Sequence, residues 1–367
     1  MTSTAVLRWS EAPADAEARS VAALRGGGLV AIPTETVYGI AAATGHPDAI
    51  SRLAALKGRP DTKPFTLAFA DRSAVDRRGF EMPEAARALA DRYWPGPLTL
   101  VIPDRAGHLA GVRVPGGEVA RAILRAFGGE VALTSANRSG DPDAVSAAQV
   151  VATFASELDV IVDGGVCPIK QPSTVVRFAA HGVEVLREGI ITRSMVMNCA
   201  GTRVLLICTG NTCRSPMAAA ILTGLLAHSL QIEPAELPER GFEISSAGVA
   251  AIPGLPPSPE AVAVGESRGF PVDQRYLSRP LDAESLRRAT HIFVMTRAHH
   301  EEMAERFPEV VPKTELLHRR GADIGDPIGG DVARYARCAE ELQAELEEIA
   351  KELVKRYRGP PGGKANK

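Results

Sequence analysis

The segment VLLICTGNTCRSPMA at residues 204–218 constrains the fold of this chain more than any other stretch. An apolar run ends at Cys208, a loop containing Gly210 and Asn211 follows, and Pro216 opens a helix-like stretch. A strand, a loop and a helix in this order are typical of a parallel α/β sheet. In such a loop successive backbone N–H groups point inward, and the helix N-terminus adds positive potential. The segment therefore predicts an anion site sized for phosphate.

The residue types in this loop predict a nucleophile and its supporting groups. Cys208 would carry the attacking sulfur, and the anion-binding field is expected to lower its thiol pKa. Arg214 can hold two phosphate oxygens through its planar fork, and Ser215 can donate to the leaving thiolate. The other loop residues are expected to line the phosphate site: Thr209, Gly210, Asn211, Thr212 and Cys213. A buried structural cysteine beside a surface arginine is the simpler alternative.

From this loop onwards the chain resembles the low-molecular-weight protein phosphatase family. The shared segments are CTGNTCRSP, SSAGV at 245–249, LSRPL at 277–281 and GDPIGGD at 325–331. The resemblance implies that Asp326, in the late Asp-Pro pair, protonates the leaving group and then activates water. It also implies a cysteinyl-phosphate intermediate and no cofactor for this half.

Thr212 and Ile328 bear on the substrate of the phosphatase-like half. Tyrosine-specific relatives have a bulky aliphatic residue where this sequence has Thr212, and tyrosines where it has Ile328. The form CTGNTCRSP is similar to that of bacterial protein-arginine phosphatases. We therefore expect phosphorylated protein as the partner and phosphoarginine as the hydrolysed group, with phosphotyrosine as the alternative. Arsenate reductases share the fold but need two further relay cysteines, and after Cys213 only Cys338 remains.

The first half of the chain carries cations and small polar groups at its predicted turns. These residues are Thr34, Thr36, Lys57, Arg59, Lys63, Arg113, Ser135, Asn137, Ser173 and Arg187. Cations together with hydroxyl and amide groups suit a triphosphate and a small polar substrate. No G-x-x-x-x-G-K-[ST] loop is present, so the sequence lacks a standard nucleotide loop. Composition and spacing alone stop at a polar pocket for an anionic ligand.

Four segments of the first half resemble the YrdC-like threonylcarbamoyl-AMP synthase family: PTETVYG at 33–39, KGRP at 57–60, WPGPLTLV at 94–101 and TSANRSG at 134–140. The resemblance implies that L-threonine, bicarbonate and ATP give L-threonylcarbamoyl-AMP and pyrophosphate, with Mg²⁺ assisting. The product would pass to downstream tRNA-modification proteins that make threonylcarbamoyladenosine. By the same resemblance, phosphate charge would fall to Lys57, Arg59, Lys63 and Arg187, threonine to Thr36 and Arg113, and ATP with carbamate to Ser135, Asn137 and Ser173. Lys63 departs from the family, which often has Asn there.

Charge and cysteine usage limit the other function classes. The chain has 42 Lys and Arg against 44 Asp and Glu, a net charge of −2, so any RNA contact would be weak and local. An RNA-binding module without catalysis remains the alternative for the first half. A hydrogenase-maturation carbamoyltransferase has a similar domain but carries zinc-finger cysteine pairs, which are absent here. We expect no metal held by protein side chains, surface positions for His299 and His300, and either a protective Cys208–Cys213 disulfide or a packed Cys213 thiol.

These patterns predict an α/β protein of two domains. A twisted mixed sheet is expected over 10–193, a linker without periodicity over 194–202, and a parallel sheet with helices on both faces over 203–357. Residues 358–367 are predicted to be a disordered tail. No apolar run approaches about 18 residues, and the first residues lack an apolar core, so we expect no membrane segment and a cytoplasmic location.

Overall fold

The computed structural model describes residues 4–58, 64–154, 156–179 and 182–357. Contacts divide them into two compact units, chiefly residues up to 200 and residues 201–357. Each unit contains its own sheet, one mixed and one parallel. The predicted fold class of two α/β domains is therefore confirmed. Among the described residues, no helix is both long enough and apolar enough to cross a membrane.

The first unit contains a mixed sheet of ten strands in the described part of the chain. In chain order they are β1 (Ala5–Arg8), β2 (Val30–Ile32), β3 (Gly39–Ala43), β4 (Thr66–Ala68), β5 (Leu98–Pro103), β6 (Leu109–Arg113), β7 (Val131–Ser135), β8 (Val160–Asp163), β9 (Thr174–Ala179) and β10 (Gly182–Arg187). Across the sheet they follow the order β1-β8-β2-β3-β7-β4-β6-β5-β9-β10. Strand β3 is antiparallel to β2 and β7, whereas β4 with β6 and β5 with β9 pair in parallel.

Helices pack on both faces of this sheet. They are α1 (Pro13–Arg25), α2 (Pro47–Lys57), α3 (Arg72–Arg78), α4 (Glu84–Tyr93), α5 (Glu118–Phe127), α6 (Ala147–Phe154) and α7 (Arg193–Ala200). Ile40 of β3 packs in the same apolar cluster as Leu53 of α2, whereas the next residue, Ala41, shares a cluster with Ile123 of α5. Successive side chains of a strand point to opposite faces, so each face has its own core.

The predicted linker at residues 194–202 differs from the structure, because most of it is helix α7. This helix packs against α4, with Val196 and Ala200 buried and the Cys199 thiol 3.4 Å from the carbonyl oxygen of Ala88. Two apolar positions four residues apart make too short a pattern for periodicity to reveal a helix. The helix is stabilised by packing, and the second unit begins at Gly201.

The second unit is built on four parallel strands within the described residues. They are β11 (Thr202–Cys208), β12 (Phe242–Gly248), β13 (His291–Val294) and β14 (Thr314–Leu316), in the order β12-β11-β13-β14. The helices are α8 (Arg214–Leu230), α9 (Pro259–Ser267), α10 (Ala283–Arg288), α11 (Arg297–Arg306) and α12 (Val332–Lys355). Leu205 and Ile207 of β11 pack with Leu286 of α10 and Met303 of α11, while α8 and α12 pack together.

Strand β11 lies at the point where the chain changes direction across this sheet. Its neighbours are β12 on one side and β13 on the other. In open parallel sheets the connections leave such a point in opposite directions, and a crevice opens at the carboxyl ends of the strands. Cys208 is the last residue of β11, so the fold places its sulfur at this crevice.

Candidate active sites

The loop between β11 and α8 folds around the sulfur of Cys208. Asn211 has a φ of 57°, a left-handed conformation that Asn adopts more readily than most residues. Its backbone N–H donates to Cys208 Sγ at 3.3 Å, and Ser215 Oγ lies 3.0 Å from the same sulfur. Thr209 is exposed, whereas Gly210 and Thr212 are half-buried. The structure thus brings Cys208 and Ser215 together in the arrangement that the sequence predicts.

The Asn211 side chain is fixed by a buried network of hydrogen bonds that the sequence does not predict. Its side-chain N–H₂ donates to Ser215 Oγ at 2.8 Å and to Ser246 Oγ at 3.0 Å. Its Oδ1 accepts from the hydroxyl of Tyr276 and, at 2.9 Å, from the backbone N–H of Arg279. Every hydrogen-bonding group of this side chain is occupied, which stabilises the strained loop. Ser246 and Arg279 lie in the SSAGV and LSRPL segments, which supply the only sequence signal for them.

Arg214 and Asp326 form an ion pair across the mouth of the loop. Arg214 Nη2 lies 2.5 Å from Asp326 Oδ2 and donates to Thr209 Oγ1 at 3.2 Å, while Nη1 donates to the carbonyl oxygen of Ile324 at 3.1 Å. The Arg214 side chain is 4% exposed and that of Asp326 is 39% exposed. A buried guanidinium needs such partners when no anion is bound. The two side chains predicted to act on one phosphoryl group are therefore in contact.

The pKa of Cys208 departs from the sequence expectation. Burial raises the pKa of this thiol above its ordinary value. The Ser215 hydroxyl, the Arg214 charge and the Asn211 N–H all act in the opposite direction, but they do not outweigh burial. The sequence shows the anion-binding loop but not the depth of the sulfur, which is only 2% exposed. The expected lowering of this pKa is therefore wrong.

His299 is buried, contrary to the expected surface position. Its Nε2 lies 2.9 Å from Thr209 Oγ1, the atom that also accepts from Arg214. Its Nδ1 is buried and has no hydrogen-bond partner among the described residues. Burial, followed by the charge of Arg214, lowers the pKa of His299 below its usual value. The ring is therefore neutral at neutral pH and supports the Thr209 hydroxyl.

The second loop cysteine is a packed thiol in this structure. Cys213 Sγ lies 3.1 Å from the hydroxyl of Tyr335 in α12 and 3.5 Å from Thr212 Oγ1. Burial raises the pKa of Tyr335 to about 12, so its hydroxyl stays protonated. Cys208 and Cys213 are both free thiols. A disulfide between them under oxidation stays a prediction.

A polar cavity of about 120 Å³ opens in the first unit. Its lining includes five of the residues that the sequence singles out: Thr34, Arg113, Ser135, Ser173 and Arg187. Tyr38, Thr66 and Thr99 also line it and were not predicted. The predicted residues Arg59 and Lys63 lie outside the described residues. The structure therefore gathers side chains from distant turns around one space.

Arg113 is held at this cavity by a carboxylate that the sequence reasoning missed. Its Nη2 donates to Glu35 Oε1 at 2.6 Å and to Thr36 Oγ1 at 2.8 Å. Glu35 Oε2 accepts from the backbone N–H groups of Gly116 at 2.8 Å and Gly117 at 3.0 Å. Arg113 Nε is buried without a partner among the described residues. The guanidinium is thus fixed where it lines the cavity.

The two threonines of PTETVYG form hydrogen bonds within their own loop. Thr34 Oγ1 donates to the carbonyl oxygen of Val37 at 2.6 Å and accepts from the N–H groups of Thr36 and Val37. It also lies 2.8 Å from Thr36 Oγ1. These bonds fix the turn and place Thr36 against Arg113.

The Lys57 ammonium contacts the loop of residues 135–137, here named the SAN loop, instead of extending into solvent. Its Nζ donates to the carbonyl oxygen of Ser135 at 2.9 Å, to Asn137 Oδ1 at 2.6 Å, and to the carbonyl oxygen of Asn137. Ser135 Oγ also lies 2.6 Å from Asn137 Oδ1. Gly58, with a φ of 57°, follows the last residue of α2. Lys57, that last residue, is only 3% exposed. The predicted contact of Lys57 with phosphate stays a prediction, since this ammonium has three protein acceptors.

Ser173 and Arg187 meet at the wall of the same cavity. Arg187 Nε donates to the carbonyl oxygen of Ser173 at 3.0 Å, and Nη2 donates to Ser173 Oγ at 3.3 Å. Ser173 Oγ lies 2.9 Å from Thr99 Oγ1. Within the described residues there is no group of three or more His, Cys, Asp or Glu that could hold a metal ion.

Fold and site geometry define two classes of protein in one chain. The second unit has the Cys–Arg–Asp arrangement of a cysteine-dependent phosphatase on a parallel sheet. The first unit has a mixed sheet and a polar cavity lined by cations and hydroxyls. The family model described as low molecular weight phosphotyrosine protein phosphatase matches residues 203–358. The Sua5/YciO/YrdC family model, described as "Telomere recombination", matches residues 22–189.

Individual relatives agree with this division. A protein-arginine-phosphatase of Geobacillus stearothermophilus is 38% identical over 155 residues, which are 41% of this chain and 95% of that protein. A threonylcarbamoyl-AMP synthase of Chromohalobacter salexigens is 37% identical over 171 residues, which are 44% of this chain and 92% of that protein. The chain therefore belongs to both families, with the Sua5/YciO/YrdC family in its first half and the low molecular weight phosphatase family in its second.

Longer relatives match only in part. The threonylcarbamoyl-AMP synthase of Pyrococcus abyssi is 38% identical over 175 residues, which are 45% of this chain. The chain spans about half the length of that protein and of its Bacillus subtilis counterpart, 52% and 55% respectively. A solved structure of a variant of Pyrococcus abyssi Sua5 matches with a TM-score of 0.51 and 29% identity, covering 56% of this chain and 70% of that one.

Proposed function

We propose that this chain is a bifunctional enzyme, a threonylcarbamoyl-AMP synthase followed by a cysteine-dependent protein phosphatase. The observation that carries the phosphatase is the contact of Cys208 with Ser215 and Asn211, closed by the Arg214–Asp326 pair. The observation that carries the synthase is the cavity that joins Arg113, Ser135 and Ser173. The named relatives of each half support the same assignment.

A single proton links Cys208 and Asp326 in the phosphatase reaction. Burial keeps it on the sulfur at first, because the pKa of Cys208 is raised. An incoming phosphoryl group draws Arg214 away from Asp326, so the freed carboxylate can take that proton and leave a thiolate. The sulfur then attacks phosphorus while the bond to the leaving nitrogen or oxygen breaks, and Asp326 gives the proton to the leaving atom.

The second half-reaction uses the same groups in reverse. Asp326, now ionised, removes a proton from water, whose oxygen attacks the phosphorus of the cysteinyl phosphate. The S–P bond breaks, and the sulfur leaves as a thiolate that accepts from Ser215 and Asn211. Arg214 holds the equatorial oxygens in both steps and offsets their developing charge.

Phosphoarginine is the substrate that this site favours over phosphotyrosine. Thr212 carries a small side chain with a hydroxyl that lies 3.5 Å from Cys213 Sγ. Ile328, in place of an aromatic ring after Asp326-Pro327, is 63% exposed. A planar cationic guanidinium needs no aromatic wall, and the relative from Geobacillus stearothermophilus is named a protein-arginine-phosphatase.

The full chain tests this preference by hydrolysis of phosphoarginine and phosphotyrosine side by side, with Cys208→Ser as the blank. We expect phosphoarginine to have the higher kcat/KM. Thr212→Ile removes the hydroxyl and widens the apolar wall, so it should shift the ratio of kcat/KM toward phosphotyrosine about tenfold. A higher kcat/KM for phosphotyrosine in the unmodified chain would assign the alternative activity.

The first unit is proposed to make L-threonylcarbamoyl-AMP. Threonine and bicarbonate give a carbamate and water, the carbamate oxygen attacks the α-phosphorus of ATP, and pyrophosphate leaves. Arg113 would hold the threonine carboxylate from the wall of the cavity, while Ser135 and Ser173 position carbamate and nucleotide. Arg59 and Lys63 stay expected phosphate ligands, and Mg²⁺ would enter only with the phosphates of ATP.

The test is release of pyrophosphate by the full chain. It should require threonine, bicarbonate and ATP together, and Arg113→Met should raise the KM for threonine more than that for ATP. Pyrophosphate release without dependence on threonine would contradict the assignment. Binding of RNA without any pyrophosphate release would favour the non-catalytic module. Supply of the product to tRNA-modification proteins and a cytoplasmic location complete the proposal.

A further inference from the structure

Arg334 contacts the segment that carries Asp326, although neither the sequence motifs nor the proposed mechanism uses it. It lies in the first turn of α12, and its Nη2 donates to the main-chain oxygen of Asp326 at 2.7 Å. Its side chain is exposed, and no carboxylate lies within ion-pair distance of it in the part of the chain that the structure describes. The interaction therefore joins the helix directly to the Asp326 backbone.

The segment 326–331 is a tight turn that Arg334 closes. Gly329 has a φ of 72°, and the Gly330 N–H donates to the carbonyl oxygen of Pro327 at 2.9 Å. The alkyl stem of Arg334 covers Gly330 so closely that a Cβ there would lie 2.4 Å from Arg334 Cδ. Asp331 Oδ1 accepts from the Arg334 N–H at 2.9 Å and begins α12. The turn and the helix start thus form one packed unit.

Helix α12 supplies the rigidity that this contact passes on. Tyr335 and Cys338, which follow Arg334 on the helix, are buried, as are Leu342 and Leu346 on later turns. Apolar positions three and four residues apart fix a helix against the body of a domain. A hydrogen bond from such a helix holds the Asp326 backbone more firmly than loop contacts do.

The contact matters most when substrate is bound. Arg214 also contacts Asp326 in this structure, through its side chain at 2.5 Å. On phosphoryl binding Arg214 turns to the anion, and that bond is lost. The Arg334 bond to the main-chain oxygen does not compete with the phosphoryl group and persists.

We propose that Arg334 is a positioning residue that keeps the Asp326 carboxyl in line with the leaving group. This inference rests on the proposed role of Asp326 as general acid. A misplaced acid slows the departure of poor leaving groups and leaves good ones almost unaffected, because only the former need a proton in the transition state. General destabilisation of the fold would slow both to the same extent.

The test compares phenyl phosphate with 2,4-dinitrophenyl phosphate, using the full chain. Arg334→Ala should lower kcat/KM for phenyl phosphate at least about tenfold and that for the dinitrophenyl ester by less than about twofold. Arg334→Lys keeps a donor and should recover part of the loss. Arg337→Ala removes another exposed arginine from the same helix and should change neither value.

Equal losses on both esters in Arg334→Ala would overturn the proposal. The variant Asp326→Asn separates this outcome from failure of the proposed function. If Asp326→Asn discriminates between the two esters and Arg334→Ala does not, the general acid stands and Arg334 does not position it. If Asp326→Asn itself fails to discriminate, the assignment of Asp326 as acid is wrong. Thermal unfolding of each variant checks that the fold is intact.

Discussion

Replacing Asp326 by Asn should strengthen phosphate binding while it slows hydrolysis. The Asp326 carboxylate lies 2.5 Å from Arg214 and offsets its charge, so an anion must compete for the guanidinium. Two unit charges about 4 Å apart interact by about 4 kcal/mol at an effective dielectric constant of about 20, whereas fully exposed pairs give at most about 1 kcal/mol. With Arg214 buried and Asp326 39% exposed, we take about 1–2 kcal/mol. Phosphate should then bind about five to thirty times more tightly.

Calorimetry with inorganic phosphate measures this gain directly on the full chain. In the same variant, phosphoarginine hydrolysis should fall about 10²- to 10⁴-fold, because the leaving group loses its proton donor. Asp323→Asn is the matched control, since it removes a nearby exposed carboxylate whose Oδ1 accepts from the Arg297 N–H and does not contact Arg214. An unchanged or weaker phosphate affinity in Asp326→Asn, or an equal gain in Asp323→Asn, would refute the competition argument.

Three further outcomes follow from the two sites. Cys208→Ser should abolish phosphatase turnover and leave threonine-dependent pyrophosphate release unchanged; loss of both would show that the two activities are not independent. Because burial raises the pKa of Cys208, its thiolate fraction is small at neutral pH and grows about tenfold per pH unit below that pKa. Alkylation by iodoacetamide, corrected by the Cys208→Ser blank, should therefore accelerate from pH 6 to 8. A rate that does not change with pH would contradict the raised pKa. Lys57→Met removes three hydrogen bonds that Lys57 donates to the SAN loop, so it should lower the free energy of unfolding of the first unit by about 2–3 kcal/mol, as measured by urea titration. The variant should lose pyrophosphate release and keep phosphatase activity in the two assays.

The phosphatase loop could be predicted because its chemistry is local in the sequence. Cys208, Arg214 and Ser215 lie within eight consecutive residues, and the strand and helix on either side fix their geometry. Asp326 is different, since an Asp-Pro pair is usually just a turn and only the family resemblance ties it to the loop. The structure supplies the contact that justifies the pairing.

The sequence could not predict which side chains are buried or which distant residues they contact. His299 carries no mark in the sequence that distinguishes it from the half-buried His300, yet α11 turns it inward against Thr209. The raised pKa of Cys208 depends on how deeply β11 lies in the sheet, which no local pattern reports. Glu35 sits inside a motif that the sequence singles out, but its partner Arg113 lies 78 positions away in the chain. Such contacts exist only after the sheet has brought its strand ends together.

Both sites hold their cations with protein oxygens before any substrate arrives. Arg214 is paired with Asp326, Arg113 with Glu35, and Lys57 with the acceptors of Ser135 and Asn137. A buried cation without a partner would cost several kcal/mol, so these pairs stabilise the folded chain. Substrate affinity is therefore a difference between two sets of contacts.

Arg214 and Arg113 differ in whether they can give up their carboxylate partner when substrate binds. In the proposed mechanism Asp326, which is partly exposed, takes up a proton and releases Arg214, so the partner exchange is part of the phosphatase cycle. Glu35 is fixed by two backbone N–H groups, so Arg113 keeps its carboxylate and can bind substrate only through the donors that Glu35 leaves open. The first arrangement suits an arginine that follows a phosphoryl group into the transition state, and the second suits one that only orients a small acid.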